Sequence, residues 1–448
     1  MNKEILHIAL PGIAANATIP LLGLCDTAIA GHLGGAEVLG AIAVGGMMFN
    51  LMYWLLGFLR MATGGLTAQA HGSADREAVY GTLLRSVLTG GLLSLLLLAG
   101  QQPLKGLALA WMAPSAAVVA GTETYYGILI WGAPAVLLSY SLTGWFLGRQ
   151  NARPPMYVAI VQNLVNIALS LTLVCGLKMG IVGVAVGTLA SQYVAAVLAV
   201  ALGLAVYRKE AAAVVPAGRR RHFMTQQLAG NREQRQATRR FLAAGRDIFL
   251  RTICLVAVTT QFTAAGAALS DTALAANALL MQFFIVFSYI MDGFAYAAEA
   301  IGGKLYGAGD TIAFRRLIRC LTGWGAGLAA AFTLIYATSG SLFIRLLTDI
   351  PEVVTAATAL LPFVVAIPVA GVAAFLFDGL FIGTTSTREM LVAILVSAIA
   401  FFALLEGLPA SWQAAGLWTA FLCYLILRGT VSALLCPGVL RRMQQNKA

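Results

Sequence analysis

The chain has 448 residues, 60% of them hydrophobic and only 10% charged, with a mean hydropathy of +0.84. Soluble domains carry about 25% charged residues, so this composition excludes an ordinary soluble globular protein and fits a polytopic membrane protein. The net charge of +11 invites a nucleic-acid reading, but the basic residues are gathered in alternate connections rather than in one patch.

Twelve apolar stretches are predicted to span the membrane, near 8–32, 38–63, 83–101, 122–147, 156–176, 180–206, 252–269, 273–301, 317–338, 357–383, 390–409 and 414–436. Each is long enough to cross a hydrocarbon core about 30 Å thick. The N-terminus lacks a signal-peptide pattern, because the first stretch runs on past any cleavage site. With both termini in the cytoplasm, the connections on that side hold Arg76, Arg85, Arg149, Arg153, Lys304, Arg315, Arg316, Arg319 and Arg388. The opposite side holds only Lys105, Lys178 and Arg345. This asymmetry sets the orientation in a cytoplasmic membrane. The basic surplus is then topological, with anionic membrane lipids and not nucleic acid as its expected partner.

Span 1 carries Asp26 inside IPLLGLCDTAIAG, with no basic residue near it in sequence. A charge at mid-bilayer costs roughly 2.5–3.5 kcal/mol on insertion scales, and a protonated acid with a raised pKa avoids most of that cost. Asp26 is therefore a candidate coupling residue that exchanges a proton or cation; the alternative is a neutral acid bonded to a neighbouring helix. Pro11 and Pro20 lie on the same span and each removes a helical hydrogen bond, which makes them candidate bending points.

Span 5 reads VQNLVNIALSLTLV, placing Gln162, Asn166 and Ser170 on one face with Asn163 beside them. Span 6 adds Thr188 and Gln192, four residues apart. These groups would surround Asp26 if spans 1, 5 and 6 are neighbours; otherwise they join helices. Between the halves lies a basic segment, 208–246, whose part from Met224 to Gly245 is a candidate interfacial helix with Leu228, Phe241 and Leu242 as its apolar contacts.

In the second half, Asp292 and Asp378 form a possible second coupling or substrate site. Arg251 and Arg428 lie toward span ends and are expected to snorkel to the interface. Gln261, Met281 and Gln282, with Asn163 and Gln192, are candidate cavity residues. The six cysteines are scattered singly and read as small packing residues.

Two segments repeat: GLTAQAHGSAD at 65–75 is echoed by AIGGKLYGAGD at 300–310, an offset that also aligns Gly144 and Gly148 with Gly379 and Gly383. The organisation expected is a six-helix lobe over 1–207, a basic cytoplasmic linker over 208–246 and a six-helix lobe over 247–448. An even number of spans per half gives parallel repeats, which commonly hold a binding site between lobes. Enzyme chemistry is disfavoured: no P-loop, HExxH or GxSxG occurs, and the four histidines show no ligand spacing. Neither a bound metal nor a cofactor is expected, so uphill transport would draw on H+ or Na+ as coupling ion.

The segments PLLGLCDTAIAGHLG, FLRMATGGLTAQAHG, GWFLGRQNARPPM, QNLVNIALSL, MDGFAYAAEAIGGKLYG and FDGLFIGTTSTREM together resemble the multidrug and toxic compound extrusion (MATE) transporters, in the DinF-like branch. The resemblance implies a V-shaped fold of twelve helices in two six-helix lobes. It also implies antiport of small organic, often cationic, substrates against protons or sodium, by a chain expected to be monomeric. It assigns Asp26 as the protonation site, with Asn166 and Thr188 beside it, and Pro11 as the bend. One departure is Ser170, where the branch commonly has an acid. Losing that carboxylate weakens a sodium site and favours proton coupling, with a lipid-linked substrate flippase as a further alternative. The offset also puts Gln261 opposite Asp26.

Overall fold

The computed structural model describes residues 1–31, 35–214 and 232–445, with the side chains of residues 19–31, 36, 210–214 and 410 outside the described set. Leu228 and the rest of 215–231 in the basic linker therefore fall outside it. Among the described residues the fold is all α, with no strand.

The first half comprises α1 (Asn2–Gly31), α2 (Ala36–Leu56), α3 (Phe58–Gly72), α4 (Arg76–Ala99), α5 (Gln101–Met112), α6 (Ala116–Leu129), α7 (Ala133–Gly148), α8 (Arg153–Leu171) and α9 (Gly180–Val214). The second comprises α10 (Arg232–Leu269), α11 (Asp271–Gly307), α12 (Thr311–Leu347), α13 (Pro351–Gly383), α14 (Thr387–Gly407) and α15 (Gln413–Gln445). Ten apolar passes among the described residues are long enough to cross a membrane; α2 with α3, and α6 with α7, each count as one pass. With α1 and α10 they make the twelve helical passes of two six-helix lobes.

One helix was not expected. α5 buries none of its residues and leaves Leu104, Leu107 and Trp111 exposed. Its twelve residues are too few to span a bilayer and suit a short interfacial segment. Cys175 departs from the packing reading, because it lies exposed in the turn Thr172–Gly176 where the helix widens.

The internal duplication is written in the backbone. Ala74 and Gly309, Gln150 and Thr385, and Lys178 and Gln413 all have positive φ, and each pair shares the offset of the repeated segments. Asp75 and Asp310 each cap the following helix, accepting from Ala78 N and Ala313 N at 2.9 Å. A carboxylate at that position satisfies an otherwise orphaned helix N–H.

By internal contacts the chain divides into two compact units. One contains 14–67 and 75–245; the other contains 1–13, 68–74 and 246–448. In the first unit α4 packs on α7, α2 on α6, and α8 on α9. Its core includes Phe49, Tyr125, Tyr126, Leu129, Ile130 and Val184.

In the second unit α11 and α13 pack closely, with α12 and α15 against α13. There the repeated segments meet: a Cβ on Gly72 would collide with the Lys304 backbone, and one on Gly307 with the Gln69 backbone. Gln69 and Lys304 are themselves repeat equivalents, so one close approach occurs twice. Only glycine permits it. Gln69 Nε2 adds hydrogen bonds to Gly383 O (2.9 Å) and Thr385 Oγ1 (3.0 Å).

Candidate functional site

Within the first unit, α8 supplies the polar stripe predicted from its spacing. Asn166 and Ser170 are fully buried, Gln162 and Asn163 half-buried. Asn163 Nδ2 donates to Thr18 Oγ1 on α1 at 2.6 Å, and Asn166 Nδ2 donates to Thr188 Oγ1 on α9 at 3.0 Å. Spans 1, 5 and 6 are thus neighbours through these two bonds. Thr188 Oγ1 in turn donates to Val184 O, so its hydroxyl proton is committed to its own helix.

Three buried oxygens remain open: Asn166 Oδ1, Ser170 Oγ and Gln192 Oε1 make no protein hydrogen bond. A Cβ on Gly187 would press on Ser170 Oγ, which reports how closely α9 approaches α8 there. A buried polar atom without a partner costs about 1–3 kcal/mol, so such a cluster is better explained by a role than by packing.

The Asp26 side chain lies outside the described residues, but its backbone belongs to α1. Thr18 is level with Asn163 through their hydrogen bond. Spans 1 and 5 are both odd-numbered passes and run the same way. At 1.5 Å per residue, Asp26 is about 12 Å beyond Thr18, and Ser170 about 10.5 Å beyond Asn163. The Asp26 backbone therefore falls at the depth of the open Ser170 hydroxyl. Pro20 also lies among residues whose side chains are not described, whereas Pro11 is half-buried in α1.

A group of aromatic residues belongs to the same unit. Phe49 stacks on Tyr126 with ring centroids 5.2 Å apart and is 5.8 Å from Tyr53. The hydroxyls of Tyr53 and Tyr126 are buried without a hydrogen-bond partner. A repeated aromatic spacing would have suggested these positions, but Phe49, Tyr53 and Tyr126 come from two separate helices.

The second unit buries charge instead. Asp378 on α13 pairs with both Arg251 on α10 and Arg428 on α15. The two arginines, expected to snorkel, are 7% and 5% exposed. A carboxylate within reach explains the difference, since pairing offsets the desolvation that drives a lone arginine to the interface. Near them Asp247 accepts from Thr387 Oγ1 at 2.9 Å and pairs with Arg246 at 2.7 Å.

The remaining second-half candidates are dispersed. Asp292 on α11 is half-buried, as are Gln261 on α10 and Met281, while Gln282 is exposed. The structure does not bring Asp292 into the ion triad. A buried amide that sequence reasoning missed, Asn277, accepts from Trp418 Nε1 at 2.8 Å and joins α11 to α15.

A family model described as MatE matches residues 11–172 and 248–405. The chain is 37% identical over 432 residues to the DNA damage-inducible protein F of Escherichia coli, covering 96% of this chain and 90% of that protein. It is 26% identical over 447 residues to the chloroplastic protein DETOXIFICATION 44 of Arabidopsis thaliana, covering 96% and 81%. Among solved structures, one described as MATE in the bent conformation gives a TM-score of 0.82 at 18% identity, covering 99% of this chain and 96% of that one. Another, the outward-facing conformation of a multidrug resistance MATE family transporter, gives 0.83 at 17% identity, covering 99% and 97%.

Proposed function

The chain belongs to the MatE family of membrane-embedded multidrug efflux transporters, which are not enzymes, and from that premise we propose that it is a proton-driven antiporter. Its substrates are amphipathic, often cationic, organic compounds, exported across the cytoplasmic membrane by a monomer with both termini inside. The observation that carries the reading is the depth match between the Asp26 backbone and the open Ser170 hydroxyl, one helical turn beyond the buried pair Asn166–Thr188.

The chemistry follows from those groups. A deprotonated Asp26 presents a carboxylate to a cationic substrate in a low-dielectric lobe. Proton binding from outside neutralises it, and the neutral acid gains a donor hydrogen. Asn166 Oδ1 and Ser170 Oγ are acceptors suited to that hydrogen. The substrate loses its counter-charge and leaves; release of the proton inward restores the carboxylate. Pro11 is the hinge of this account. α1 changes its packing unit between residues 13 and 14, just past that proline, which supports the role.

The absence of an acid at Ser170 favours a proton over sodium, because a sodium site built from neutral oxygens would rest on one carboxylate. Phe49, Tyr53 and Tyr126 are suited to cationic organic substrates through their ring faces. Asp378, held by two guanidinium groups, is assigned to structure rather than coupling.

The test is Asp26→Asn in everted membrane vesicles loaded with a fluorescent organic cation. Loss of proton-driven transport with normal insertion and purification is expected. Transport at the unmodified rate would overturn the proposal.

A further inference from the structure

The N-terminal part of α10 presents a second surface, unrelated to coupling. Phe241, Ala244, Gly245 and Ile248 bury one side of this helix, whereas Arg232, Arg235, Gln236 and Arg239 are exposed on the other. Those four side chains alone line a surface concavity of about 390 Å³. The residues Arg232, Arg235 and Arg239 follow at three- and four-residue intervals, so their guanidinium groups share one helical face. Glu233 is the sole acid between Arg232 and Arg246, and Arg246 is already paired with Asp247.

The depth of this face is fixed by what anchors the helix. Gln234 Oε1 accepts from Arg85 Nη1 at 2.8 Å. Arg85 lies on α4 at the start of the apolar stretch predicted for that helix, so Gln234 sits where the chain enters the bilayer. One turn beyond Arg239, on the same side of α10, Leu242 is 50% exposed. The guanidinium cluster thus abuts an uncovered aliphatic side chain on the same side of the helix, as a site between headgroups and acyl chains would.

We propose that Arg232, Arg235, Gln236 and Arg239 form a binding site for the phosphate of an anionic phospholipid in the inner leaflet. Guanidinium forks match phosphate oxygens in paired hydrogen bonds, and Gln236 contributes a neutral amide donor. The first methylenes of the lipid tails lie against Leu242. The site lies apart from Asp26 and needs no assumption about the coupling ion. It rests only on the chain being membrane-embedded.

The experiment uses the full-length protein in detergent, titrated with phosphatidylglycerol, phosphatidylcholine or soluble glycerol phosphate, with retained lipid counted by native mass spectrometry. The unmodified protein is expected to retain phosphatidylglycerol over phosphatidylcholine and not to bind glycerol phosphate. The variant R232Q/R235Q/R239Q should bind phosphatidylglycerol at least tenfold more weakly, since each basic side chain near an anionic surface contributes to attraction. The charge-preserving R232K/R235K/R239K should lie between the two. Equal retention in the glutamine variant, equal retention of both lipids, or binding of glycerol phosphate as tight as that of the lipid would each overturn the proposal. Monodisperse elution and an unchanged melting temperature of the variants separate loss of the site from loss of fold.

Discussion

Asn166, Thr188 and Gln192 in the first lobe have Phe401, Cys423 and Leu427 as their repeat equivalents in the second. Conversely, the second-lobe ion triad of Arg251, Asp378 and Arg428 corresponds to Asn16, Thr143 and Tyr193 in the first. The paired left-handed positions show that the backbones stayed in register while the buried chemistry diverged. Around Asn166 the first half buries neutral oxygens that remain open to a partner. Around Asp378 the second half buries charges that are matched to one another. A duplicated scaffold can thus keep a responsive cluster in one copy and a braced one in the other, because unpaired groups change free energy more than matched ones when a proton or substrate arrives.

This contrast can be broken most forcefully at Asp378. Asp378→Asn leaves two buried guanidinium groups without a carboxylate, a change worth about 3–5 kcal/mol in comparable buried pairs. A large fall in melting temperature and yield is expected, read by a fluorescence-detected thermal assay in detergent. The companion variant R251M/D378L/R428M removes all three charges and should recover folding and transport, as apolar replacement of buried ion networks often does. A folded but inactive triple variant would return Asp378 to the coupling machinery.

An intermediate effect is expected at the duplicated glycine contact. Gly307→Ala forces a Cβ against the Gln69 backbone, and such overpacking typically costs about 1–3 kcal/mol. Gly72→Ala should behave alike, because it makes the equivalent collision with Lys304. Unequal losses in melting temperature would mean that the two copies do not share the packing load.

The smallest effect on stability should come from Asn166→Ala. It removes one interhelical hydrogen bond, worth on average about 0.6 kcal/mol in a membrane. Its melting temperature should barely move while transport falls several-fold. A stability loss as large as that of Asp378→Asn would mark Asn166 as structural.

Much of this was legible before any coordinates. The twelve passes follow from apolar length, and the duplication from one echoed segment. The α8 stripe followed from four-residue spacing, and the bonds from Asn163 and Asn166 reach spans 1 and 6, the neighbours on which that reading was conditional. What could not be read is pairing between distant positions. Arg251, Asp378 and Arg428 are separated by long stretches of chain, and only packing reveals that two guanidinium groups share one carboxylate. α5 was equally hidden, since a short helix with no buried face leaves no spanning-length signal. Asn277 was hidden for the same reason, because the Trp418 side chain that donates to it is 141 positions away in sequence.

The decisive measurement is substrate flux in proteoliposomes with pH and sodium gradients imposed independently, for the unmodified protein and for Asp26→Asn. Flux should follow the pH gradient without sodium and vanish in the variant. Flux driven by sodium alone, or undiminished after the substitution, would contradict a first lobe that works by taking up and releasing a proton at Asp26.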